Sequence, residues 1–343
     1  MSMLVERRVA ALTMVLTATI LAGAGLRPVP AAAQVPTIRV QYIVPVDQVI
    51  SLFDIPSIQQ NVLKHYGKRY KMELGRSQGT PFLVAAMAAG ETDVAFLAYN
   101  SFASAVIKCV VPGGLTIVGS DFYDSHPDYF NFPWLALAES PINGVRELKG
   151  KKIGVLAIGT GADATTRLML KKSGLDPVKD VTIVEIPAPA MEEAVRSKKI
   201  DAGFFAPVFA YRAMAAGGVK KVFDSYQAWG KPYVFSFIVA RNDYVKKSPD
   251  AVRGFLEDYV ALLTYVQKPE NRDAVIDLVV AHFKAPKAVL QQFYLTKKDM
   301  YRRPDGRIVA EDLQHALTRL HELGFLEKDL QVAGYADNSY LPR

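Results

Sequence analysis

One short pattern occurs twice, 108 residues apart, and constrains the fold more than any other feature of the chain. Thr92-Asp93-Val94-Ala95-Phe96-Leu97-Ala98 and Ile200-Asp201-Ala202-Gly203-Phe204-Phe205-Ala206 each follow a helical run and place an Asp just past its end. Each continues as a short apolar strand and then meets a helix-starting residue, Asn100 or Pro207. Strands alternating with helices imply βαβ units and a mainly parallel sheet. Two copies of one plan imply two α/β lobes with a cleft between them.

The rest of the chain fits that plan. Strands are predicted at Ile38–Val44, Met72–Leu74, Asp93–Ala98 and Leu115–Gly119, then at Trp134–Ala138, Lys152–Ile158, Val181–Ile186, Asp201–Phe205 and Tyr233–Ala240. Helices are predicted at Ser57–Tyr66, at Pro81–Ala89 behind a Thr80 cap, and from Asn100 towards Cys109. Further helices follow Gly159-Thr160-Gly161, Pro189 and Pro207. From Ser248 onward the pattern is helical, over Pro249–Val266, Asn271–Phe283, Ala288–Leu295 and Ala310–Leu323.

The first 33 residues stand apart. Arg7-Arg8 precede an apolar run from Val9 to Gly25, and Ala31-Ala32-Ala33 before Gln34 has the form of a signal-peptidase site. This reads as a secretory signal peptide. The residues around Arg7-Arg8 fit a twin-arginine signal poorly. The mature chain from Gln34 is expected to be exported, soluble and periplasmic.

Composition removes several function classes. Half of the residues are apolar and 22% are charged, which describes a globular chain with a large core. A single cysteine, Cys109, excludes a disulfide framework and multi-cysteine metal sites, and is expected to be buried. The net charge of +7 is not gathered into a Lys/Arg run, so no nucleic-acid partner is expected. There is no H-E-x-x-H and no G-x-S-x-G. None of His65, His126, His282, His315 and His321 pairs with another at ligand spacing. No metal, cofactor or catalytic set is expected.

Ligands of open α/β sheets sit beyond the carboxyl ends of the strands. Four junctions become candidates: Ser77 to Thr80, Ala98 to Ser101, Gly159 to Ala162, and Phe205 to Pro207. Helix starts offer free N–H groups and a positive dipole end, which suits an anionic group. Arg76 is a candidate carboxylate clamp. His126 lies in an aromatic loop between the lobes, with Phe122, Tyr123, Tyr129, Phe130, Phe132 and Trp134 around it. Rings of that kind would stack on an aromatic ligand. Gly159-Thr160-Gly161-Ala162-Asp163-Ala164, with Glu185 at the end of the next strand, also fits a dinucleotide fingerprint in outline. A dinucleotide-dependent enzyme therefore stays open as an alternative.

Four blocks carry a resemblance to a known family. Glu147-Leu148-Lys149-Gly150-Lys151-Lys152-Ile153-Gly154-Val155, Lys172-Ser173-Gly174-Leu175-Asp176, Ala89-Gly90-Glu91-Thr92-Asp93-Val94-Ala95 and Tyr335-Ala336-Asp337-Asn338-Ser339-Tyr340-Leu341 are the four. They resemble blocks of the solute-binding proteins of ABC importers, of the sulfonate/nitrate/taurine type that also includes binders of thiamine pyrimidine precursors. The resemblance implies a two-lobed type II periplasmic binding fold with crossover strands near Phe130–Ala138 and Tyr233–Ala240. It implies lobes of 36–130 plus 238–343 and of 131–237, and a helical C-terminal region. It implies a monomer that binds a small organic anion, with a pyrimidine second, and docks on a permease in the inner membrane. Presentation of the ligand to a sensor is the other outlet. Ligand contacts are implied at Asp47 and Phe53 after the first strand, at Ser77, Gly79 and Thr80, and at Tyr99 and Asn100. In the second lobe they are implied at Gly159, Thr160, Gly161 and Phe205, with Tyr123 and His126 candidates from the aromatic loop. The chain departs from the family at Ala162-Asp163, where Asp163 would repel a sulfonate if it faced the cleft.

Overall fold

The computed structural model describes residues 34–343, so the signal-peptide reading lies outside the described residues. The ten strands are β1 (Thr37–Tyr42), β2 (Lys71–Arg76), β3 (Val94–Ala98), β4 (Leu115–Asp124), β5 (Pro133–Leu137), β6 (Lys152–Val155), β7 (Thr182–Glu185), β8 (Ala202–Phe204), β9 (Val219–Asp224) and β10 (Tyr233–Arg241). They form two five-stranded sheets of one plan, β2-β1-β3-β10-β4 and β7-β6-β8-β5-β9. In each sheet the first three strands are parallel and the last two pairings are antiparallel. The sheets are therefore mixed rather than mainly parallel. The reason lies in β5 and β10, which enter their sheets from the neighbouring half of the chain instead of through a βαβ crossover. β10 pairs with the first sheet along its whole length, from Tyr233 to Arg241.

The repeated Asp has the same task in both sheets. Asp93 accepts from the Arg39 N–H of β1 at 3.0 Å, and its own N–H donates to the Arg39 carbonyl at 2.9 Å. Asp201 accepts from the Lys152 N–H of β6 at 2.8 Å, and its N–H donates to the Lys152 carbonyl at 2.9 Å. Each side chain extends the parallel ladder at the end where a short strand would fray. Arg39 adds a two-pronged ion pair to Asp93.

Among the described residues twelve α-helices accompany the sheets: α1 (Pro56–Asn61), α2 (Thr80–Ala88), α3 (Tyr99–Ile107), α4 (Gly161–Lys172), α5 (Ala188–Arg196), α6 (Pro207–Ala216), α7 (Ser225–Trp229), α8 (Asn242–Lys247), α9 (Pro249–Gln267), α10 (Arg272–Phe283), α11 (Lys287–Phe293) and α12 (Ala310–Glu322). One face of the first sheet packs on α9, α10 and α11, and the other on α2, α3 and α12. Burial on both faces explains the unbroken apolar run of β3, all five residues of which are buried. No helix among the described residues is long and apolar enough to cross a membrane.

Some expectations need correction. α1 ends at Asn61 rather than Tyr66. The next residues leave the helix because Asp258 of α9 takes the His65 and Tyr66 N–H groups and the Tyr70 hydroxyl. Cys109 is exposed, not buried, since it follows the end of α3 in a left-handed conformation with φ 50°. The Val219–Asp224 strand escaped the sequence reading: it is an edge strand with Lys220 and Lys221 in place of an apolar alternation.

Asp124 ends β4 inside the protein. It accepts from Ser225 Oγ at 2.6 Å, from Tyr233 OH at 3.0 Å and from the Ser125 N–H. Burial nevertheless pushes its carboxyl up to about 6. A folded value above the unfolded one means the folded state holds this proton more tightly. Its stabilising effect is present below about pH 4 and is lost as pH rises through about 6. That loss amounts to a few kcal/mol, at about 1.4 kcal/mol per unit. Between pH 4 and 6.5 the melting temperature of Asp124→Asn is expected to gain steadily on the wild type. Parallel thermal melts check this, and curves that stay parallel across the window would refute it.

Candidate functional site

The helix starts of the two sheets meet. α2 and α3 begin at Thr80 and Tyr99 beyond β2 and β3, and α4 begins at Gly161 beyond β6. The Gly159 carbonyl accepts from Asn100 Nδ2 at 2.6 Å and from Ser101 Oγ at 2.7 Å. Ser101 is in turn 2.5 Å from the Thr80 hydroxyl. A Cβ added at Gly79 would lie 3.2 Å from Ala157 Cβ and 3.3 Å from Thr160 Cγ2, so the second sheet's side chains pack tightly against this glycine. Gly159 itself turns at φ 80°, a conformation that glycine adopts without strain. Thr80 and Asn100 thus bridge rather than cap: α2 is capped by Gly79 and α3 by Ala98, without side-chain cap bonds.

Beside this contact lies a cavity of about 60 Å³ within about 560 Å³ of space between atoms, its mouth included. The first sheet contributes Ile43, Val44, Asp47 and Gln48 from the loop after β1, Gly79 and Thr80, Phe122 of β4, and Phe235 and Ser236 of β10. The second contributes Phe132, Leu156, Thr160, Gly161, Ala162, Phe204 and Ala206. Met300, from the segment before α12, completes the wall. Four rings form its aromatic side. Phe122 and Phe235 stack at 5.4 Å and 17°, and Phe132 sits 5.1 Å from Phe235 and 5.0 Å from Phe204.

The polar side is held firmly. Gln48 Oε1 accepts from the Ile43 and Val44 N–H groups at 2.7 and 3.1 Å, which bends the chain back after β1. Gln48 Nε2, Ser236 Oγ and Tyr259 OH all donate to Asp121 of β4. Arg302 donates to the Asp47 carbonyl at 2.6 Å and to Asp299 at 3.1 Å. Val46 takes φ 72°, an unfavourable value for a β-branched residue, so the surroundings over-determine this loop. Burial holds the Asp47 carboxyl well above the usual carboxylate range, and the Asp299 charge pushes the same way against Arg302.

Of the residues named from sequence, Asp47, Gly79, Thr80, Thr160 and Gly161 line this cavity. Asn100 and Gly159 form the contact beside it. Phe53 packs in the core 5.7 Å from Phe255, and Phe205 is buried in the second sheet's core. Tyr99 is fully buried behind the contact, edge-on to Trp229 and Tyr233. Arg76 is exposed at the end of β2, and the Ser77 N–H donates to the Tyr42 carbonyl. Tyr123 and His126 gather around Tyr301 at a separate corner, where burial lowers the His126 pKa. Asp163 faces away from the cavity, bonded to the Gly159 N–H at 2.9 Å and to Arg167 at 2.7 Å. Glu185 accepts from the Ile158 N–H at 2.6 Å, so it clamps the glycine turn of the dinucleotide-like motif. The sequence reading does not name Gln48, Phe204, Phe235 and Met300 as site residues: Phe204 lies within the repeated strand pattern, where the neighbouring Phe205 is the candidate instead, and the other three carry no motif.

Two mixed sheets joined by β5 and β10, with a cavity between opposed helix starts, define the type II periplasmic binding fold. Residues 127–270 match the sequence model of the family described as NMT1/THI5 like, in line with the resemblance carried by the sequence blocks. No curated protein sequence matches the chain. Among solved structures, the alkanesulfonate-binding protein SsuA from Xanthomonas axonopodis pv. citri, bound to MOPS, is similar with a TM-score of 0.71 at 18% identity, covering 89% of this chain and 99% of that one. The periplasmic nitrate-binding protein NrtA from Synechocystis PCC 6803 gives 0.69 at 13% identity, covering 90% and 87%. The desulfurization enzyme DSZB gives 0.59 at 16% identity, covering 88% and 97%. At these identities the likeness shows the fold alone.

Proposed function

We propose that this chain is the extracytoplasmic solute-binding subunit of an ABC importer. It captures a small molecule between its two sheets and delivers it to a permease in the inner membrane. One observation carries the reading: a small, largely apolar cavity is walled by both sheets at the point where their helix starts touch. A ligand held there contacts both halves at once, which lets binding favour the closed arrangement. The bodies that move are the two lobes the sequence implies, 36–130 plus 238–343 and 131–237, with the second boundary moved back to Tyr233 because β10 pairs with the first sheet along its whole length. The protein acts in the periplasm after loss of residues 1–33, as a monomer and without catalysis. The names of the alkanesulfonate-binding and nitrate-binding relatives of this fold support the binding role. The resemblance puts a small organic anion first among ligand classes and a pyrimidine second. The first-turn N–H groups of α2 and α4 support a ligand with an acceptor at one end.

The test is a thermal-shift screen of the chain from Gln34 against alkanesulfonates, aromatic carboxylates, nitrate, pyrimidines and NAD. One compound is expected to raise the melting temperature and to be recovered unchanged after incubation. A ligand at 100 times its Kd adds about 2.7 kcal/mol to stability. Conversion of the bound compound, or a shift with NAD alone, would sink the reading.

A further inference from the structure

Asp47 is buried to 97% and lines the cavity, yet among the described residues neither carboxyl oxygen has a partner at hydrogen-bond geometry, the Val208 N–H at the start of α6 being the one backbone donor that acts on it. Such a group works against the fold, because a buried polar atom without a partner costs about 1–3 kcal/mol, and more when charged. It is not a leftover of a loose loop. Gln48, Ser51 and Arg302 all bond the surrounding backbone and hold Asp47 in place.

The neighbouring charges are already matched with one another. Asp121 receives three donors, from Gln48, Ser236 and Tyr259. Asp299 takes Arg302 Nη1 together with the Leu295 and Met300 N–H groups. Arg302 turns its other arm to the Asp47 carbonyl, not to its carboxyl. Three buried acids thus share one buried cation, and the unmatched acceptor belongs to Asp47.

We infer that Asp47 selects a ligand carrying N–H donors, such as a protonated amine or an amidine, over a ligand that is only an anion, which reverses the order of ligand classes that the resemblance alone gives. The inference rests on the solute-binding reading and narrows its ligand class. An N–H donor restores the hydrogen bonds that the carboxyl lacks, in surroundings of low dielectric where they are strong. A sulfonate or carboxylate at the same place could take only the single O–H of a protonated Asp47 and would face an unpaired acceptor beside it. The aromatic side agrees, since the rings of Phe122, Phe132, Phe204 and Phe235 line it, and aromatic surroundings favour flat or cationic groups. The acceptor end of such a ligand would face the starts of α2 and α4.

The experiment uses matched compounds on the mature chain: benzamidine and benzylamine against benzoate, benzenesulfonate and nitrate. Binding is measured by calorimetry on the wild type and on Asp47→Asn. At least one N–H compound is expected to bind, and to bind at least tenfold more weakly to Asp47→Asn. The acids are expected to bind the wild type no better than the variant. Binding of an acid but of no N–H compound overturns the inference and leaves the solute-binding reading intact. Binding of an N–H compound equally to both proteins overturns it too, while again leaving that reading. No binding in either class counts against both. Should Asp47→Asn fail to fold, the comparison of the two compound classes on the wild type decides alone.

Discussion

Gly161→Leu is expected to lower ligand affinity at least 100-fold while the protein stays folded. A Cβ at Gly161 would lie 2.6 Å from Phe235 Cζ and 2.7 Å from Cε2, closer than atoms tolerate. The ring cannot swing aside freely, because it stacks on Phe122 and touches Phe132 and Tyr99. Gly161 belongs to α4 and Phe235 to β10, so the clash acts between the sheets and is relieved by parting them. The fold of each sheet is untouched, so the melting temperature should fall by only a few degrees. Solution scattering should report a larger radius of gyration than for the wild type. Calorimetry with the best compound from the screen should report the loss of affinity, 100-fold being about 2.7 kcal/mol. A variant with wild-type affinity and an unchanged radius would refute the closed contact as the binding state.

Trp134→Ala is expected to remove about 3–5 kcal/mol of stability, the usual range for a large aromatic in a core. Trp134 of β5 is 1% exposed and stacks on Phe223 at 4.5 Å and 14°. Its indole N–H donates to Thr166 Oγ1 of α4 at 2.9 Å. The ring therefore ties β5 and β9 to the helix that carries Gly161 and Ala162 into the cavity. A drop of about 5–8 °C in melting temperature follows from the per-residue unfolding entropy of a chain this size. Trp134→Phe should recover much of it by keeping the stack. A loss below about 1 kcal/mol would show that the second sheet does not depend on this packing.

The two-lobed plan was legible because local chemistry and global plan agree. Asp93 and Asp201 stand out in the sequence, and both serve the parallel pairing of β1 with β3 and of β6 with β8. Helix starts at Gly79-Thr80 and Gly159-Thr160-Gly161 were legible from glycine and threonine alone, and they reach the cavity. The aromatic side was legible only in part. Phe122 and Phe132 lie in a visibly aromatic stretch, whereas Phe204 and Phe235 sit in strands whose many apolar residues mostly serve packing. A strand pattern reports that a residue is buried, not whether it is buried against protein or against a ligand. Phe205 shows the converse: next to Phe204 in sequence, it points to the opposite face and into the core. The polar side was least legible, because Gln48, Asp121, Tyr259 and Arg302 converge from four distant segments.

The carbonyl of Gly159 has a consequence for how affinity is set. Two side-chain donors from the other sheet, Asn100 and Ser101, converge on it. At about 0.5–1.5 kcal/mol net for each hydrogen bond, they bias the opening equilibrium by roughly 1–3 kcal/mol, or about 5- to 150-fold. The observed dissociation constant of any solute is its intrinsic constant divided by the fraction of molecules already competent to hold it. On the proposed solute-binding reading, part of the affinity is therefore written into a peptide group beside the cavity, and can be retuned at Asn100 or Ser101 without altering which solutes are preferred.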